Sequence, residues 1–320
     1  MSSTSYNRYA IIDIGTNSVI LLVCDVNNRT REYKVILDTT EITRLGQGLY
    51  PTLHLQSSSI DRTCAVIRQY LRQTEILGVE QTVAVGTNVL RVAENARSFI
   101  DLVQDEFRLD VEVILADTEA HLSYLSVRED RAFRRLEAHE LMVIDIGGGS
   151  TEQVFLDNGD LICRSVPFGA VSITDQFVKN DPPTNQAIQK IEVFIQETLI
   201  NQGWTTQSQV PISLVGIGGT IVNLAVVESG LIGPDLSVVH GQVLDQKEIS
   251  DQIDLFRSLT IDDLRRIPGL EVKRADVILA GTLILRGLMN HVGVDHVYVS
   301  TRGVRYGVMI DRFLSGGDDF

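Results

Sequence analysis

The feature that most constrains this chain is a strand–turn–strand unit with a glycine-containing turn, which occurs twice. The second copy, Leu141–Phe155, reads LMVIDIGGGSTEQVF, and the first, Tyr9–Val23, reads YAIIDIGTNSVILLV. In each copy an aspartate, Asp13 or Asp145, ends an apolar strand just before the turn. The two aspartates are separated by 132 residues in a chain of 320. A repeat at this offset predicts a duplicated domain with a ligand held between its halves.

Glycine turns that follow strands are suited to phosphate, because they leave the backbone N–H groups open to an anion. A third turn follows another apolar run and opens a predicted helix, whose first N–H groups also favour an anion. One such turn alone is more simply an ordinary β-turn, but three placed after strands predict phosphate chemistry. The predicted phosphate-binding residues are Gly15, Thr16, Asn17 and Ser18 in the first turn, Gly147, Gly148, Gly149, Ser150 and Thr151 in the second, and Gly218, Gly219 and Thr220 in the third.

Charged residues near these turns have a functional and an ordinary interpretation. Asp145 and Glu152 flank the second turn, where they could hold a hard cation over a bound phosphate or simply be solvated acids. Arg91, in a predicted helix start, could face the predicted cleft or the solvent. Glu119 follows Asp117 at another helix start, where acids are favoured without any function.

Composition excludes several classes of function. The net charge is −14, with 42 acidic residues against 28 Lys and Arg, which argues against binding to nucleic acid or to a membrane surface. The apolar runs are interrupted well before the length of a membrane span, and the first eight residues are polar. The three cysteines have no metal or redox spacing. These features predict a cytoplasmic protein with no membrane or nucleic-acid partner.

The order of predicted elements favours an α/β fold with two mixed sheets. Strands precede helices twice over, in the order of the actin, sugar-kinase and heat-shock ATPase superfamily, whose two domains are ribonuclease H-like. We expect one domain at 1–122 and another at 123–302, with a final helix at 303–320 packed on the first. Two long helices are also predicted, at Thr118–Leu136 and at Val272–Val292.

The motifs together resemble the exopolyphosphatase / guanosine pentaphosphate phosphohydrolase family over nearly the whole chain, in its short form. The motifs that carry the resemblance are IDIGTNS at Ile12–Ser18, TNVLRVAEN at Thr87–Asn95, TEAHL at Thr118–Leu122, IDIGGGSTE at Ile144–Glu152, GIGGT at Gly216–Thr220, the pair His240-Gly241, RADVILAG at Arg274–Gly281, and a Ser-Thr, Gly, Arg, Gly pattern from Ser300 to Gly307.

The resemblance implies hydrolysis of a terminal phosphoanhydride in a cleft between the domains, with Mg²⁺ as cofactor, and a homodimer is common among relatives. It places the general base at Glu119, the metal ligands at Asp145 and Glu152, and a phosphate-binding arginine at Arg91. It also assigns the three glycine turns to phosphate. A helix-start position would favour the ionised form of the Glu119 carboxyl. Thr301 and Tyr306 differ from the acidic residues that the family usually has there.

Four functions fit these features to different degrees. The substrates of an exopolyphosphatase and of a guanosine pentaphosphate phosphohydrolase would both present a terminal anhydride to the same turns. A sensor that binds the nucleotide without hydrolysis would not need the retained acids, and a sugar kinase would not need the full motif set. A long polyphosphate also needs cationic residues beyond the site, and the candidates, which could equally be solvated, are Arg265, Arg266, Lys273 and Arg274.

Overall fold

The computed structural model of the chain describes residues 6–49, 52–204, 212–231 and 236–314. The chain divides into two compact units. One consists of Met1–Ser126 together with Val304–Phe320, and the other of Val127–Gly303. Within the described ranges, no helix combines the length and the apolar character that crossing a bilayer requires.

The first unit is built on a five-stranded sheet with the order β3-β2-β1-β4-β5. Its strands are β1 (Asn7–Ile14), β2 (Ser18–Asn27), β3 (Glu32–Ile42), β4 (Gln81–Gly86) and β5 (Val111–Val113), and its helices are α1 (Ser57–Ile76), α2 (Asn88–Val92), α3 (Ala96–Phe107) and α4 (Ala116–Arg128), the last of which ends just past the boundary. Strand β1 is antiparallel to β2 and parallel to β4.

The second unit contains a six-stranded sheet with the order β10-β11-β9-β6-β7-β8. Its strands are β6 (Leu141–Ile146), β7 (Thr151–Asp157), β8 (Asp160–Val166), β9 (Ser213–Ile217), β10 (Val243–Asp245) and β11 (His296–Val299), and its helices are α5 (Ala170–Phe177), α6 (Asn185–Asn201), α7 (Gly219–Glu228), α8 (Gln246–Ser258), α9 (Ile261–Leu264) and α10 (Ile278–Val292). The last helix, α11 (Val304–Phe313), belongs to the first unit.

The two sheets share one topology, which confirms the predicted α/β fold class of ribonuclease H-like type. Strand β6 is antiparallel to β7 and parallel to β9, as β1 is to β2 and β4. Strand β5 lies parallel to β4, and β11 lies parallel to β9. Strand β10 is an additional edge strand in the second unit. In both units, therefore, the turn of the first hairpin lies beside the carboxyl end of the next parallel strand, which is β4 in the first unit and β9 in the second.

Apolar residues on both faces of β1 explain its central position. Ala10, Ile12 and Ile14 pack into a core with residues of α1 and α3, whereas Ile11 packs into a second core with residues of α11. Successive side chains of a strand point to opposite faces, so the apolar run at residues 10–12 must be covered on both sides.

Two predicted helices are shorter than expected. The helix predicted at Thr118–Leu136 ends at Arg128, because Asp130 is extended and its carboxylate accepts a hydrogen bond from the Ala132 N–H, which begins a separate 3-10 turn. The helix predicted at Val272–Val292 is likewise interrupted. Its first residues form a 3-10 turn, and α10 begins only at Ile278. Of the predicted final helix at 303–320, residues 315–320 lie outside the described residues.

Candidate active site

The two hairpin turns have the same backbone geometry. The Gly15 N–H donates to the Ser18 carbonyl at 2.9 Å, and the Gly147 N–H donates to the Ser150 carbonyl at 3.0 Å. A Cβ atom at Gly147 would lie 3.0 Å from that carbonyl, which leaves little room for any residue other than glycine. The repeat that the sequence predicted is thus present in the turns as well as in the sheets.

The second turn directs its carbonyl groups to one side. The Gly147 carbonyl accepts from the Ala170 N–H at 2.9 Å, and the Gly148 carbonyl accepts from the Val171 N–H at 2.8 Å, at the start of α5. In a trans peptide the carbonyl and the following N–H point in opposite directions. The N–H groups of Gly148 and Gly149 therefore point away from α5, as an anion-binding turn requires.

The first turn is arranged in the same way and adds a polar side chain. The Thr16 carbonyl accepts from Gly46, and the Asn17 carbonyl accepts from Arg44, both at 2.9 Å. The Asn17 side chain is buried, and within the described residues neither its oxygen nor its nitrogen has a hydrogen-bond partner. Because buried polar groups are normally paired, this amide has both a donor and an acceptor with which to contact a ligand or water.

The predicted metal ligands face each other across the second hairpin. Asp145 is opposite Glu152 in the β6–β7 register, so both side chains lie on the same face of the sheet with Cβ atoms about 5 Å apart. Glu152 is only 1% exposed, and the Ser165 hydroxyl donates to its Oε1 at 3.0 Å. The Asp145 Oδ1 lies 3.1 Å from where a Cβ atom of Gly218 would be. The acids and the third turn are thus close together.

This pair of carboxylates fits a divalent cation. The described residues contain no group of three or more His, Cys, Asp or Glu side chains arranged to bind a metal. Mg²⁺ is commonly held by one or two carboxylates together with water and substrate phosphates, so it does not require such a group. In the first hairpin the position opposite Asp13 is Ile20, so only the second hairpin has two acids.

The third turn is shaped by close packing. Gly218 has a φ of +97°, a conformation that favours glycine, and Gly219 begins α7. A Cβ atom at Gly219 would lie 2.1 Å from the guanidinium carbon of Arg274, which therefore covers this turn. The Thr220 side chain is directed elsewhere, because it packs against Gly281 of α10. Thr151 is also fully buried, and its hydroxyl donates to the Phe168 carbonyl.

The four basic candidates for a longer substrate have different environments. Arg265 and Arg266 form exposed ion pairs with aspartates three residues earlier, and Lys273 is exposed. The Arg274 side chain is only 12% exposed, and its Nε donates to Glu271 at 2.9 Å. Arg274 is thus the candidate that lies at a predicted phosphate turn.

The predicted base and the predicted phosphate-binding arginine are in contact in the first unit. Arg91 Nη1 lies 2.6 Å from Glu119 Oε2 and also donates to the Ile114 carbonyl at 2.9 Å. Burial raises the pKa of the Glu119 carboxyl, and the Arg91 charge lowers it without cancelling the effect of burial. The helix start alone would favour the ionised form, but burial has the larger effect. A raised carboxyl pKa is suited to a general base at near-neutral pH.

Two polar clusters were not found by sequence reasoning. In the first unit, Arg305 forms two 2.8 Å hydrogen bonds with Asp38, which also accepts from the Tyr306 hydroxyl at 2.8 Å. Burial acts to lower the pKa of Arg305, but the Asp38 charge raises it overall. A hydroxyl donor at position 306 therefore suits the Asp38 carboxylate.

The second cluster, in the other unit, surrounds Asp130, which is 1% exposed. Its Oδ2 lies 3.0 Å from both His240 Nε2 and Arg302 Nε. The Thr301 N–H donates to His240 Nδ1 at 3.2 Å, so that ring nitrogen must carry the lone pair and Nε2 the proton. The motif residues His240 and Thr301 therefore stabilise the turn that follows β11.

Ser165 was also missed, although a signal for it was present. Asn158-Gly159 is the dipeptide most typical of a two-residue hairpin turn, and both residues have positive φ here. Counting back from this turn places Ser165 opposite Glu152, as the β7–β8 register has it.

Comparison with known proteins agrees with the geometry. The Ppx/GppA phosphatase family matches residues 22–315. A bifunctional 3-dehydroquinate synthase/phosphatase from Fusobacterium nucleatum is 30% identical over 314 residues, which are 94% of this chain but only 46% of that protein. Exopolyphosphatase 2 from Mycobacterium tuberculosis is 26% identical over 314 residues, 95% of this chain and 98% of that protein. The solved structure of a Ppx/GppA family member from Aquifex aeolicus is 33% identical with a TM-score of 0.79, and the match covers 98% of this chain and 100% of that one. This chain therefore belongs to the Ppx/GppA phosphatase family.

Proposed function

We propose that this protein is an exopolyphosphatase, which releases terminal orthophosphate from polyphosphate by attack of water on the last phosphorus atom. The observation that carries the proposal is the second hairpin, where an anion-binding glycine turn is flanked by two carboxylates that face each other. Such a site serves phosphoryl transfer, which depends mainly on positioning and on compensation of oxygen charge. The names of several relatives support polyphosphate as the substrate.

The turns and the basic residues would bind the phosphate groups. The N–H groups of Gly148 and Gly149, the Asn17 amide and the start of α7 would donate hydrogen bonds to phosphate oxygens. Arg274 would add a positive charge at Gly219, where its guanidinium already lies. Because the protein has a net charge of −14, these local donors must overcome an unfavourable overall field.

Asp145 and Glu152 would hold Mg²⁺, with Ser165 fixing the orientation of the Glu152 carboxylate. When bound, the cation supplies compensation for the negative charge of the phosphate oxygens.

Glu119 would act as the general base. A water oxygen forms a bond to the terminal phosphorus while the bond from that phosphorus to the bridging oxygen breaks. The electron pair of that bond leaves with the shortened chain, and the proton of the water passes to a carboxylate oxygen of Glu119 and then to solvent. The raised pKa of Glu119 makes its ionised form a better proton acceptor than an ordinary carboxylate.

A phosphate-release assay tests the proposal, with long-chain polyphosphate and guanosine pentaphosphate as parallel substrates. We expect release from polyphosphate that requires Mg²⁺ and stops when a chelator is added. Release from guanosine pentaphosphate alone would contradict polyphosphate as the substrate. Binding of the nucleotide without release from either substrate would contradict the catalytic role itself and indicate a sensor.

A further inference from the structure

The contact between Arg91 and Glu119 presents a chemical conflict. A base that must accept a proton from water is bound, in the free protein, to a guanidinium group 2.6 Å away. That positive charge stabilises the carboxylate and so weakens it as a base. The Arg91 side chain is 17% exposed, so it retains access to solvent while Glu119 is buried.

The geometry of Arg91 also allows it to change partners. A single nitrogen atom, Nη1, makes both contacts, one with the Ile114 carbonyl and one with Glu119. The guanidinium group is a planar fork whose donors match a phosphate group in a bidentate manner. A terminal phosphate with at least one full negative charge on its oxygens would compete directly with the Glu119 carboxylate for this fork.

We infer that Arg91 changes partner during the reaction: it holds Glu119 in the free protein and transfers to the terminal phosphate when substrate binds. The inference rests on the proposed function. The transfer leaves Glu119 in the same buried place without its compensating charge, so the carboxylate becomes a stronger base only when a substrate is present. Among the described residues, Arg91 is the charged group that acts on Glu119, and the Ile114 carbonyl faces Arg91 from the segment between β5 and α4.

The pH dependence of the two kinetic constants separates the free and bound states. Each constant falls at low pH, where the base becomes protonated, and we call this decrease the acid limb. The acid limb of kcat/KM reports the pKa of the base in the free protein, and the acid limb of kcat reports its pKa in the complex with substrate. We expect the limb of kcat to lie at higher pH than the limb of kcat/KM, by about one to three pH units, the effect of one nearby charge. Negative charge on the substrate would shift the limb of kcat in the same direction, so the difference in the wild type is not sufficient alone.

The substitution Arg91→Gln provides the decisive comparison. If Arg91 leaves Glu119 on binding, this variant should shift the limb of kcat/KM upward by about one to three pH units and leave the limb of kcat in place. Equal upward shifts of both limbs would show that Arg91 stays with Glu119 in the complex, and no shift in either would show that it has no influence. Either result would overturn the inference.

Two further variants control this experiment. Arg8 pairs with Asp25 at 2.6 Å in the same unit, so Arg8→Gln removes a similar ion pair away from Glu119 and should move neither limb. Arg91→Lys keeps the charge and so serves if the glutamine variant does not fold. Arg91→Lys should shift the acid limb of kcat/KM by less than Arg91→Gln does, and it should leave the acid limb of kcat unchanged. Disappearance of the acid limb in Glu119→Gln is expected separately, and an unchanged limb there would contradict the proposed base rather than the transfer of Arg91.

Discussion

Replacement of Gly169 by alanine tests whether the backbone of the second turn determines catalysis. A Cβ atom at this position would lie 2.4 Å from the Gly147 carbonyl oxygen and 2.6 Å from the Gly148 carbonyl carbon. Both obstacles are backbone atoms, so no change of rotamer can relieve the contact. Restoring an ordinary distance requires the turn to move by about 1 Å, and a displacement of this size at a reacting group can lower a rate by about 100-fold.

We therefore expect Gly169→Ala to lower kcat/KM for polyphosphate by about 100-fold in a phosphate-release assay, and to lower the free energy of unfolding by about 1–3 kcal/mol. Gly287→Ala is the matched control, because its Cβ would meet a side chain and no backbone atom within 4 Å, the nearest atom being the Ile195 Cγ2 methyl at 2.8 Å, inside the same unit. The control should retain full activity. A folded Gly169→Ala variant with activity within about threefold of the wild type would refute the role assigned to the turn.

Three other predictions concern residues around the sites. Ser165→Ala should weaken Mg²⁺ binding by about 10–100-fold, measured by calorimetry, because the Glu152 carboxylate loses its orienting donor; unchanged affinity would show that Ser165 does not orient a metal ligand. Tyr306→Phe should lower the free energy of unfolding by about 0.5–1.5 kcal/mol in chemical denaturation, because the buried Tyr306 hydroxyl no longer donates to the partly exposed Asp38 carboxylate; an unchanged value would show that water replaces the hydroxyl. Burial acts to raise the pKa of Asp130, but its hydrogen bonds and the neighbouring positive charge lower it overall. Ionised Asp130 therefore stabilises the fold above a pH of about 4. This contribution is lost as the pH falls through the lowered pKa that Asp130 has in the folded protein. Asp130→Asn should therefore flatten the decrease in unfolding free energy below about pH 4, and curves parallel to the wild type would contradict this assignment.

Local signals explain which parts of the site could be predicted from the sequence. Each glycine turn is contiguous in the chain, Asp145 and Glu152 lie within a few residues of the second one, and the shape of the turns depends on backbone geometry that glycine itself determines. The two sheets could be predicted for a similar reason, because the repeated apolar strands are visible in the sequence at the start of each half of the chain.

Contacts between distant residues could not be predicted in this way. Arg91 and Glu119 were each proposed for a role, but their mutual contact joins α2 to α4 across 28 positions of the chain. The pairing of Asp38 with Arg305 joins residues 267 positions apart and depends on the return of α11 to the first unit. Helix ends were also predicted poorly, because the turn at Asp130 is made by its side chain.

The substitution Glu119→Gln tests the central claim most directly, because it preserves size and hydrogen bonding but removes the ability to accept a proton. The protein should still fold and bind polyphosphate with an affinity within a few-fold of the wild type, while its rate of Mg²⁺-dependent orthophosphate release falls by about 100-fold or more. Turnover equal to that of the wild type would show that Glu119 is not the base and would contradict the mechanism.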